Sequence, residues 1–217
     1  MKVVVPSNLG WLEDQLCQEE QLRLWSYIKK ATRNAKPNLL GHITESLYLD
    51  DTDNWFFDNV LTRFIDRYGR TFGNMGDNYP VSEPAPYKLE SFWYNKQRQH
   101  EFNPFHNHYG VYSFVAWLNI PYDWREQYAL TEANDGGSAS NFEFMYQNIL
   151  GQMTVHKYQL DHFSTGTMLF FPSQLMHGVQ KGGEGGTGMY VRGGDVDQNL
   201  VLLDEAPLYN IGHLFAS

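Results

Sequence analysis

The chain has 217 residues, 42% of them hydrophobic and 16% aromatic, which is enough apolar material to bury a sizeable core in one domain. The net charge is −9 and the 16 Lys and Arg residues are scattered, which excludes the basic patch of a nucleic-acid-binding protein. The single cysteine excludes an internal disulfide framework and multi-cysteine metal sites, and no apolar segment has the length of a signal peptide or a membrane helix. The sequence therefore predicts a soluble cytoplasmic protein without nucleic-acid or membrane partners, and it leaves the oligomeric state open.

Two amphipathic helices are predicted in the first third of the chain. Within residues 8–36 the apolar side chains recur at helical spacing, and Pro37 marks a natural stop. A second stripe of this kind runs through residues 53–72, after an Asp-rich boundary. We expect both helices to pack against a sheet.

From Tyr87 onward the sequence favours β-strands. Short runs rich in β-branched and aromatic residues alternate with clusters of Gly, Pro, Asn and Asp, a pattern typical of a sandwich or barrel. The long segment 122–140 is predicted to be an excursion between strands that could serve as a lid. One domain over residues 1–217 is expected, with a helical support region at 1–85 and the β core at 86–205. The predicted strands are 88–94, 102–108, 111–120, 141–147, 152–158, 167–171, 177–181, 189–193 and 199–203.

A histidine pair stands out within the β region. His106 and His108 flank one residue, and side chains at positions i and i+2 of a strand project from the same face, so both imidazoles can reach one point. His177 follows an apolar strand and a short turn, and a neighbouring strand could bring it to the pair. The pair alone is equally compatible with two surface histidines, but the hydrophobic surroundings of all three residues favour a metal site.

Two segments carry a resemblance to a known family. Residues 101–123, EFNPFHNHYGVYSFVAWLNIPYD, and residues 166–179, GTMLFFPSQLMHGV, resemble the Fe(II)- and 2-oxoglutarate-dependent oxygenase superfamily. More narrowly, they resemble a prolyl-hydroxylase-like branch found among phage and marine bacterial proteins, over about residues 87–197. The resemblance implies a double-stranded β-helix, that is, a cupin-like jelly-roll barrel, in which an H-x-[D/E] pair and a distant His bind Fe(II) beside 2-oxoglutarate and dioxygen.

The resemblance also implies roles for the three histidines. His106 takes the place of the first histidine and His177 that of the distal one, while His108 stands where the superfamily usually has a carboxylate. Three neutral imidazoles leave the metal with one more positive charge than the usual two-histidine, one-carboxylate triad. H-x-H is expected for this branch. Alternatively, His108 lies beside the metal without binding it, and Glu143, Asp161 or a water completes the site.

The co-substrate 2-oxoglutarate requires a cation for its distal carboxylate, usually an Arg on a strand after the distal His. Arg192 is the only arginine downstream of His177 and takes this role by the resemblance. Gly194 departs from the family pattern, because a Ser that shares the carboxylate is usual there. Lys181 and Arg98 are alternative cations, and Arg192 could also be a solvated surface residue.

Polar residues on two other strands are further candidates for the site. The resemblance places hydrogen-bonding residues for the co-substrate near Tyr94 and Asn95, although a core tyrosine and a turn asparagine fit the sequence equally well. Val115, Trp117 and Asn119 share one face of a predicted strand and could line the cavity. A plain core strand is the simpler interpretation of these three residues.

Three functions compete at this point. The first is a dioxygenase that hydroxylates a C–H bond, of a prolyl or other amino-acid residue, in a peptide or free. The second is a cupin-like metalloenzyme that does not use 2-oxoglutarate, but Tyr112 and Ser113 stand where the glutamate of that superfamily is expected. The third is a metal-free jelly-roll binding module, against which the presence of all three histidines argues.

Overall fold

The computed structural model describes residues 1–4, 8–78, 86–98, 100–129, 136–180 and 188–198, with side chains omitted for residues 129, 136 and 188–198. The helices are α1 (Gln18–Lys30), α2 (Thr62–Phe72) and α3 (Trp124–Ala129). A π-helical turn, Phe57–Leu61, leads into α2. Short 3-10 turns are formed by Lys36–Asn38, Met75–Asn78, Gly136–Ser138 and His162–Ser164. The strands are β1 (Leu12–Gln15), β2 (Glu45–Tyr48), β3 (Tyr87–Gln97), β4 (Asn103–His106), β5 (Tyr112–Asn119), β6 (Phe142–Gln147), β7 (Met153–Tyr158), β8 (Thr167–Pro172), β9 (Met176–Val179) and β10 (Gly188–Gln198).

The strands form two antiparallel sheets. The larger sheet has the order β1-β8-β5-β10-β3-β2, and the smaller one has the order β4-β9-β6-β7. In the described part of the chain the two sheets are not closed into a barrel. The predicted fold class, mainly β with N-terminal helices in a jelly-roll arrangement, is confirmed.

Two apolar clusters use opposite faces of the larger sheet. The outer face packs against the helices, as the pleat of the strands requires when side chains alternate between faces. Its buried residues include Leu24, Tyr27, Phe56, Phe64, Tyr68, Phe92, Tyr94, Phe114 and Phe170. The inner face packs against the smaller sheet through Val115, Trp117, Leu169, Phe171, Phe142, Phe144 and Val179.

An ion pair between Glu20 of α1 and Arg63 of α2 joins the two long helices. Only 8% of the Glu20 side chain is exposed, and its carboxylate also accepts a hydrogen bond from the backbone N–H of Cys17 at 2.8 Å. Burial raises the pKa of Glu20, but the hydrogen bonds from Arg63 and Cys17 outweigh burial and lower the pKa overall. The carboxylate therefore stays charged at neutral pH, and its stabilising contribution is lost as the pH falls through the lowered pKa.

The predicted helix at residues 8–36 is wrong at both ends. Residues Leu12–Gln15 form β1, which pairs with β8, and α1 begins only at Gln18 and ends at Lys30. The pairing explains the difference, because the backbone groups of Leu12–Gln15 bond to a strand that lies more than 150 residues away in sequence. The second predicted helix is confirmed over residues 55–72.

The predicted strands between residues 88 and 193 all correspond to strands of the structure. The sequence prediction missed β2, which pairs with β3 at the edge of the larger sheet. The predicted strand 199–203 lies outside the described residues. Within segment 122–140, the structure forms α3 and a 3-10 turn, and residues 130–135 lie outside the described part.

None of the helices in the described part of the chain combines the length and the apolar character needed to cross a lipid bilayer.

Candidate active site

The structure brings His106, His108 and His177 together between the two sheets. His106 on β4 lies directly opposite His177 on β9, and His108 follows two residues after His106. The ring centroids are 4.5 Å apart for His106 and His177, 4.9 Å for His106 and His108, and 5.1 Å for His108 and His177. One nitrogen from each ring lies within 4.8 Å of the others, so the three side chains could hold a metal ion.

Hydrogen bonds to nearby backbone carbonyl groups fix the tautomer of two of these imidazoles. Nδ1 of His106 lies 2.6 Å from the carbonyl oxygen of Pro104, and Nδ1 of His177 lies 2.8 Å from that of Leu175. A carbonyl oxygen only accepts, so each Nδ1 carries a proton and donates it. Nε2 is then the nitrogen with a lone pair, which is the state that binds metals.

Aromatic side chains support His177 from the core side. Its ring lies 4.9 Å from that of Phe171 and 5.9 Å from that of Phe142, and only 1% of the residue is exposed. These contacts hold the imidazole in one orientation and keep water from its inner side. A rigid ligand of this kind stabilises a metal site, because little side-chain freedom is lost when the metal binds.

A separate set of contacts positions His108, which lies beyond the end of β4. Its backbone N–H donates to the carbonyl oxygen of Ser173 at 2.9 Å, and the Asn107 side chain donates to that of Gln174 at 3.1 Å. Its ring lies 5.8 Å from that of Trp93. These bonds tie the segment that carries His108 to the turn that precedes His177.

Gly178 allows β4 to approach β9 closely next to the histidines. Asn103 pairs with Val179 and His106 with His177, so one residue lies between the paired positions on β9 and two lie between them on β4. This irregularity is a β-bulge. A Cβ atom at position 178 would lie 3.0 Å from the carbonyl oxygen of Asn103 and 3.2 Å from the backbone nitrogen of Phe105.

We expect Gly178→Ala to destabilise the protein by about 1–3 kcal/mol and to weaken metal binding, because the added methyl group meets backbone atoms that cannot rotate away. Gly69→Ala is the matched control, since nothing lies within 4 Å of a Cβ at this position of α2. The control should stabilise the protein by about 0.5–1 kcal/mol. Thermal unfolding and metal titration of both variants test this expectation, which fails if the two substitutions have the same effect.

A pocket of about 330 Å³ is lined by two of the three histidines, His106 and His108. Its walls come from the segment between Lys36 and Tyr48, from β3 and from the chain around β4. Ser91, Trp93 and Asn95 line it from β3, at every second position. Apart from the histidines, Lys36 is the only ionisable side chain with a charge at neutral pH among the described lining residues.

Two buried polar atoms in this pocket have no hydrogen-bond partner among the residues that the structure describes. They are Nε1 of Trp93, which is 3% exposed, and Oδ1 of Asn103, which is 6% exposed. Leaving such a group unpaired costs about 1–3 kcal/mol. Both atoms are therefore suited to pair with a bound molecule. The sequence prediction missed both residues, although the period of two along β3 links Trp93 to Asn95.

Tyr94 and Asn95, predicted together as co-substrate residues, lie on opposite faces of β3. Asn95 lines the pocket, where its side-chain oxygen accepts a hydrogen bond from Ser46 at 2.5 Å. Tyr94 belongs to the outer apolar cluster, and its hydroxyl donates to Glu45 at 2.6 Å. Burial and the neighbouring Glu45 carboxylate raise the pKa of Tyr94. The structure therefore does not bring Tyr94 to the pocket, because adjacent residues of a strand point to opposite faces.

Arg192 is placed by its backbone alone. It lies in β10 opposite Trp93 of β3 and Val115 of β5, and its side chain lies outside the described part of the structure. Lys181 lies outside the described residues. Arg98 is at the edge of the larger sheet, with its guanidinium 3.9 Å from the Glu45 carboxylate and 54% of its side chain exposed.

The remaining candidates lie away from the histidines. Val115 and Trp117 are core residues between the sheets, and neither they nor Asn119 line the pocket. Glu143 accepts a hydrogen bond from Gln180 at 2.8 Å, and Asp161 caps a 3-10 turn by accepting from the backbone N–H of Phe163. In the described residues, neither acid joins the histidine group.

A protein-family model described as "Putative 2OG-Fe(II) oxygenase" matches residues 91–187. Over these residues the chain is similar to the 2OG-Fe(II) oxygenase superfamily. The matched segment contains the three histidines together with Trp93 and Asn95, and it excludes the pocket wall at residues 36–48. No curated protein sequence matches this chain.

Solved structures resemble this chain in fold. A prolyl-4-hydroxylase from Pseudomonas putida is 14% identical, with a TM-score of 0.50 over 85% of this chain and 91% of that one. A 2OG-Fe(II) oxygenase family oxidoreductase from Burkholderia pseudomallei is 13% identical, with a TM-score of 0.50 over 83% of this chain and 82% of that one. At these identities the likeness concerns the jelly-roll fold alone.

Fe(II) and 2-oxoglutarate are the metal and the co-substrate of this superfamily. The donor set fits, because imidazole is a suitable ligand for iron and two of the three rings are held in the metal-binding tautomer. The pocket also fits a bound acceptor group, since the Trp93 indole N–H has no partner among the described residues.

Proposed function

We propose that this protein is a non-haem Fe(II)- and 2-oxoglutarate-dependent dioxygenase that hydroxylates a C–H bond of a prolyl or other amino-acid residue. The observation that carries the proposal is the cluster of His106, His108 and His177 within the segment that matches the family, with His106 and His108 lining the adjacent pocket. When bound, Fe(II) and 2-oxoglutarate supply the oxidation of a C–H bond by dioxygen, with succinate and carbon dioxide as co-products.

In this proposal the three histidines hold the iron through neutral imidazoles. Two carbonyl oxygens, of Pro104 and Leu175, keep the Nδ1 protons of His106 and His177 in place and present Nε2 to the metal. A site without a carboxylate leaves the full double charge on the ion. That charge attracts the dianion of 2-oxoglutarate more strongly than the usual triad would.

Arg192 and Asn95 are the proposed residues for the co-substrate. Directly paired positions of antiparallel strands share a face, and Arg192 lies opposite Trp93, which lines the pocket. A guanidinium at this position can bind a carboxylate in bidentate fashion. Tyr94 is not part of this proposal, because its hydroxyl bonds to Glu45 on the outer face of the sheet.

The substrate is proposed to enter along the wall formed by residues 36–48, where Lys36 and Leu40 are exposed at the pocket. Oδ1 of Asn103 is a buried acceptor that can take an N–H group of a peptide. A peptidyl substrate agrees with the activity named for the Pseudomonas putida protein.

The proposal also includes a single domain, in which the helical region at residues 1–85 supports the β core at residues 86–205.

Anaerobic addition of Fe(II) and 2-oxoglutarate to the metal-free protein should produce a weak visible charge-transfer band, and admission of air should then release succinate. Fe(II) alone and 2-oxoglutarate alone are the controls and should give neither signal. A protein that binds iron without the band and without succinate would contradict the use of 2-oxoglutarate. A protein that binds no metal would contradict the enzyme proposal as a whole.

A further inference from the structure

Strand β3 presents hydrogen-bonding side chains to the pocket on one face only. Trp93 and Asn95 line the pocket. Phe92 and Tyr94, which alternate with them along the strand, are buried in the apolar cluster on the outer face of the sheet. Residues two positions apart on a strand are separated by about 6.6 Å along its axis, and their side chains project in the same direction. An indole and a carboxamide can therefore act on one bound molecule.

The buried indole N–H of Trp93 needs a hydrogen-bond acceptor. Its N–H can only donate, and it has no partner among the described residues although Trp93 is 3% exposed. Buried N–H groups in proteins are almost always paired, with water or a ligand where no protein acceptor is available. The position beside His108, with ring centroids 5.8 Å apart, makes a ligand of the metal site the natural partner.

Asn95 is held in a fixed orientation by Ser46. The Ser46 hydroxyl donates to Oδ1 of Asn95 at 2.5 Å, and both residues are buried, at 3% and 2% exposure. The bond fixes which side of the carboxamide faces Ser46. The NH₂ group of Asn95 is then the side that can donate to a molecule in the pocket.

The charges around the pocket favour an anion as the bound molecule. No Asp or Glu is among the described residues that line it, and Lys36 contributes a positive charge at its edge. Buried N–H donors without a nearby carboxylate are suited to bind a carboxylate group, because charge-assisted hydrogen bonds are stronger than neutral ones. The acceptor of Asn103 cannot pair with such a group and stays available for the substrate.

We propose that Trp93 Nε1–H and the Asn95 NH₂ group bind the distal carboxylate of 2-oxoglutarate from β3, with Ser46 as the positioning residue for Asn95. The inference rests on the proposed function and adds two residues to it, Trp93 and Ser46. The backbone of Trp93 pairs with that of Arg192 in the ladder between β3 and β10. Ser46 comes from β2, outside the segment that matches the family.

Nuclear magnetic resonance of the Zn(II)-loaded protein, labelled with ¹⁵N at its six tryptophans, gives a direct test. Trp93→Phe identifies the Trp93 indole signal by its disappearance. Saturating 2-oxoglutarate should move the indole proton of Trp93 downfield, because a carboxylate becomes its acceptor. Pyruvate, a 2-oxo acid without a distal carboxylate, should leave this signal in place.

Affinity measurements provide the second test. Trp93→Phe should weaken 2-oxoglutarate binding about 10-fold, the lower end expected for a hydrogen bond to a charged group. Trp25→Phe, the same change on α1, should leave the affinity unchanged. Ser46→Ala should raise KM for 2-oxoglutarate without changing kcat. Ser46→Thr, which keeps the hydroxyl, should have the wild-type KM.

The outcomes separate this inference from the proposed function. If the wild-type protein binds 2-oxoglutarate while the Trp93 signal is unmoved, or moves equally with pyruvate, the inference is overturned and the function stands. An unchanged KM in Ser46→Ala would overturn the role of Ser46. Failure of the wild-type protein to bind 2-oxoglutarate at all would overturn the proposed function itself.

Discussion

Replacing His177 with alanine should abolish tight Fe(II) binding. His177 is one of three histidines whose ring nitrogens lie within 4.8 Å of one another, and the hydrogen bond from its Nδ1 to the Leu175 carbonyl oxygen leaves its Nε2 available to a metal. Mutating groups that only orient a metal ligand typically weakens binding by about 10–100-fold, so loss of a ligand should cost on the order of 100-fold or more. Metal content after dialysis and calorimetric titration with Fe(II) under anaerobic conditions measure the effect.

The buried position of His177 requires a control for folding, since alanine leaves a cavity against Phe171 and Phe144. Circular dichroism should show an unchanged β spectrum, and His177→Gln, which fills more of the space, should lose the metal as alanine does. His162→Ala, at an exposed position of a 3-10 turn, should keep full metal affinity. Full iron occupancy in a folded His177→Ala protein would remove the metal site proposed here.

The β core could be predicted from the sequence because its signal is local. Strands β3 to β9 lie in short aromatic and β-branched runs between turn residues, and the structure has a strand in each of these runs. Strands β1 (Leu-Glu-Asp-Gln) and β2 (Glu-Ser-Leu-Tyr) contain no β-branched residue and do not lie in such runs. Their partners, β8 and β3, decide their conformation, and such long-range pairing cannot be read from a local pattern.

In the candidate site, too, the features that follow from a local sequence pattern could be predicted, and those that depend on long-range strand pairing could not. The spacing of His106 and His108 predicts a shared direction for two imidazoles, whereas the approach of His177 depends on β9 lying beside β4. The prediction at β3 depended on register, because a shift of one residue exchanges the two faces of a strand. Sequence reasoning could not tell that Trp93 and Asn95 line the pocket while Tyr94 faces the helices. It also could not find Ser46, which reaches Asn95 only through the pairing of β2 with β3.

Replacing Arg192 with alanine should weaken 2-oxoglutarate binding by about 100- to 4,000-fold, because loss of one partner of a hydrogen-bonded charge pair in a binding site typically costs about 3–5 kcal/mol. The backbone of Arg192 lies opposite Trp93, a pocket residue, and Val115, a core residue between the sheets. Arg192→Lys should retain part of the affinity, since an ammonium keeps the charge but not the bidentate geometry.

Titration of the Fe(II) protein with 2-oxoglutarate, followed by the charge-transfer band, measures the loss in Arg192→Ala, and succinate release at saturating 2-oxoglutarate tests whether turnover survives. Arg98→Ala is the matched control, because it removes the same charge from an exposed side chain near Glu45. If Arg98→Ala loses 2-oxoglutarate affinity and Arg192→Ala does not, the cation lies at the edge of the sheet. Succinate release at the wild-type rate and the wild-type KM in Arg192→Ala would exclude Arg192 from the site. In that case the donors on β3 and the charge of an iron ion bound by three neutral imidazoles would have to hold the dianion without Arg192.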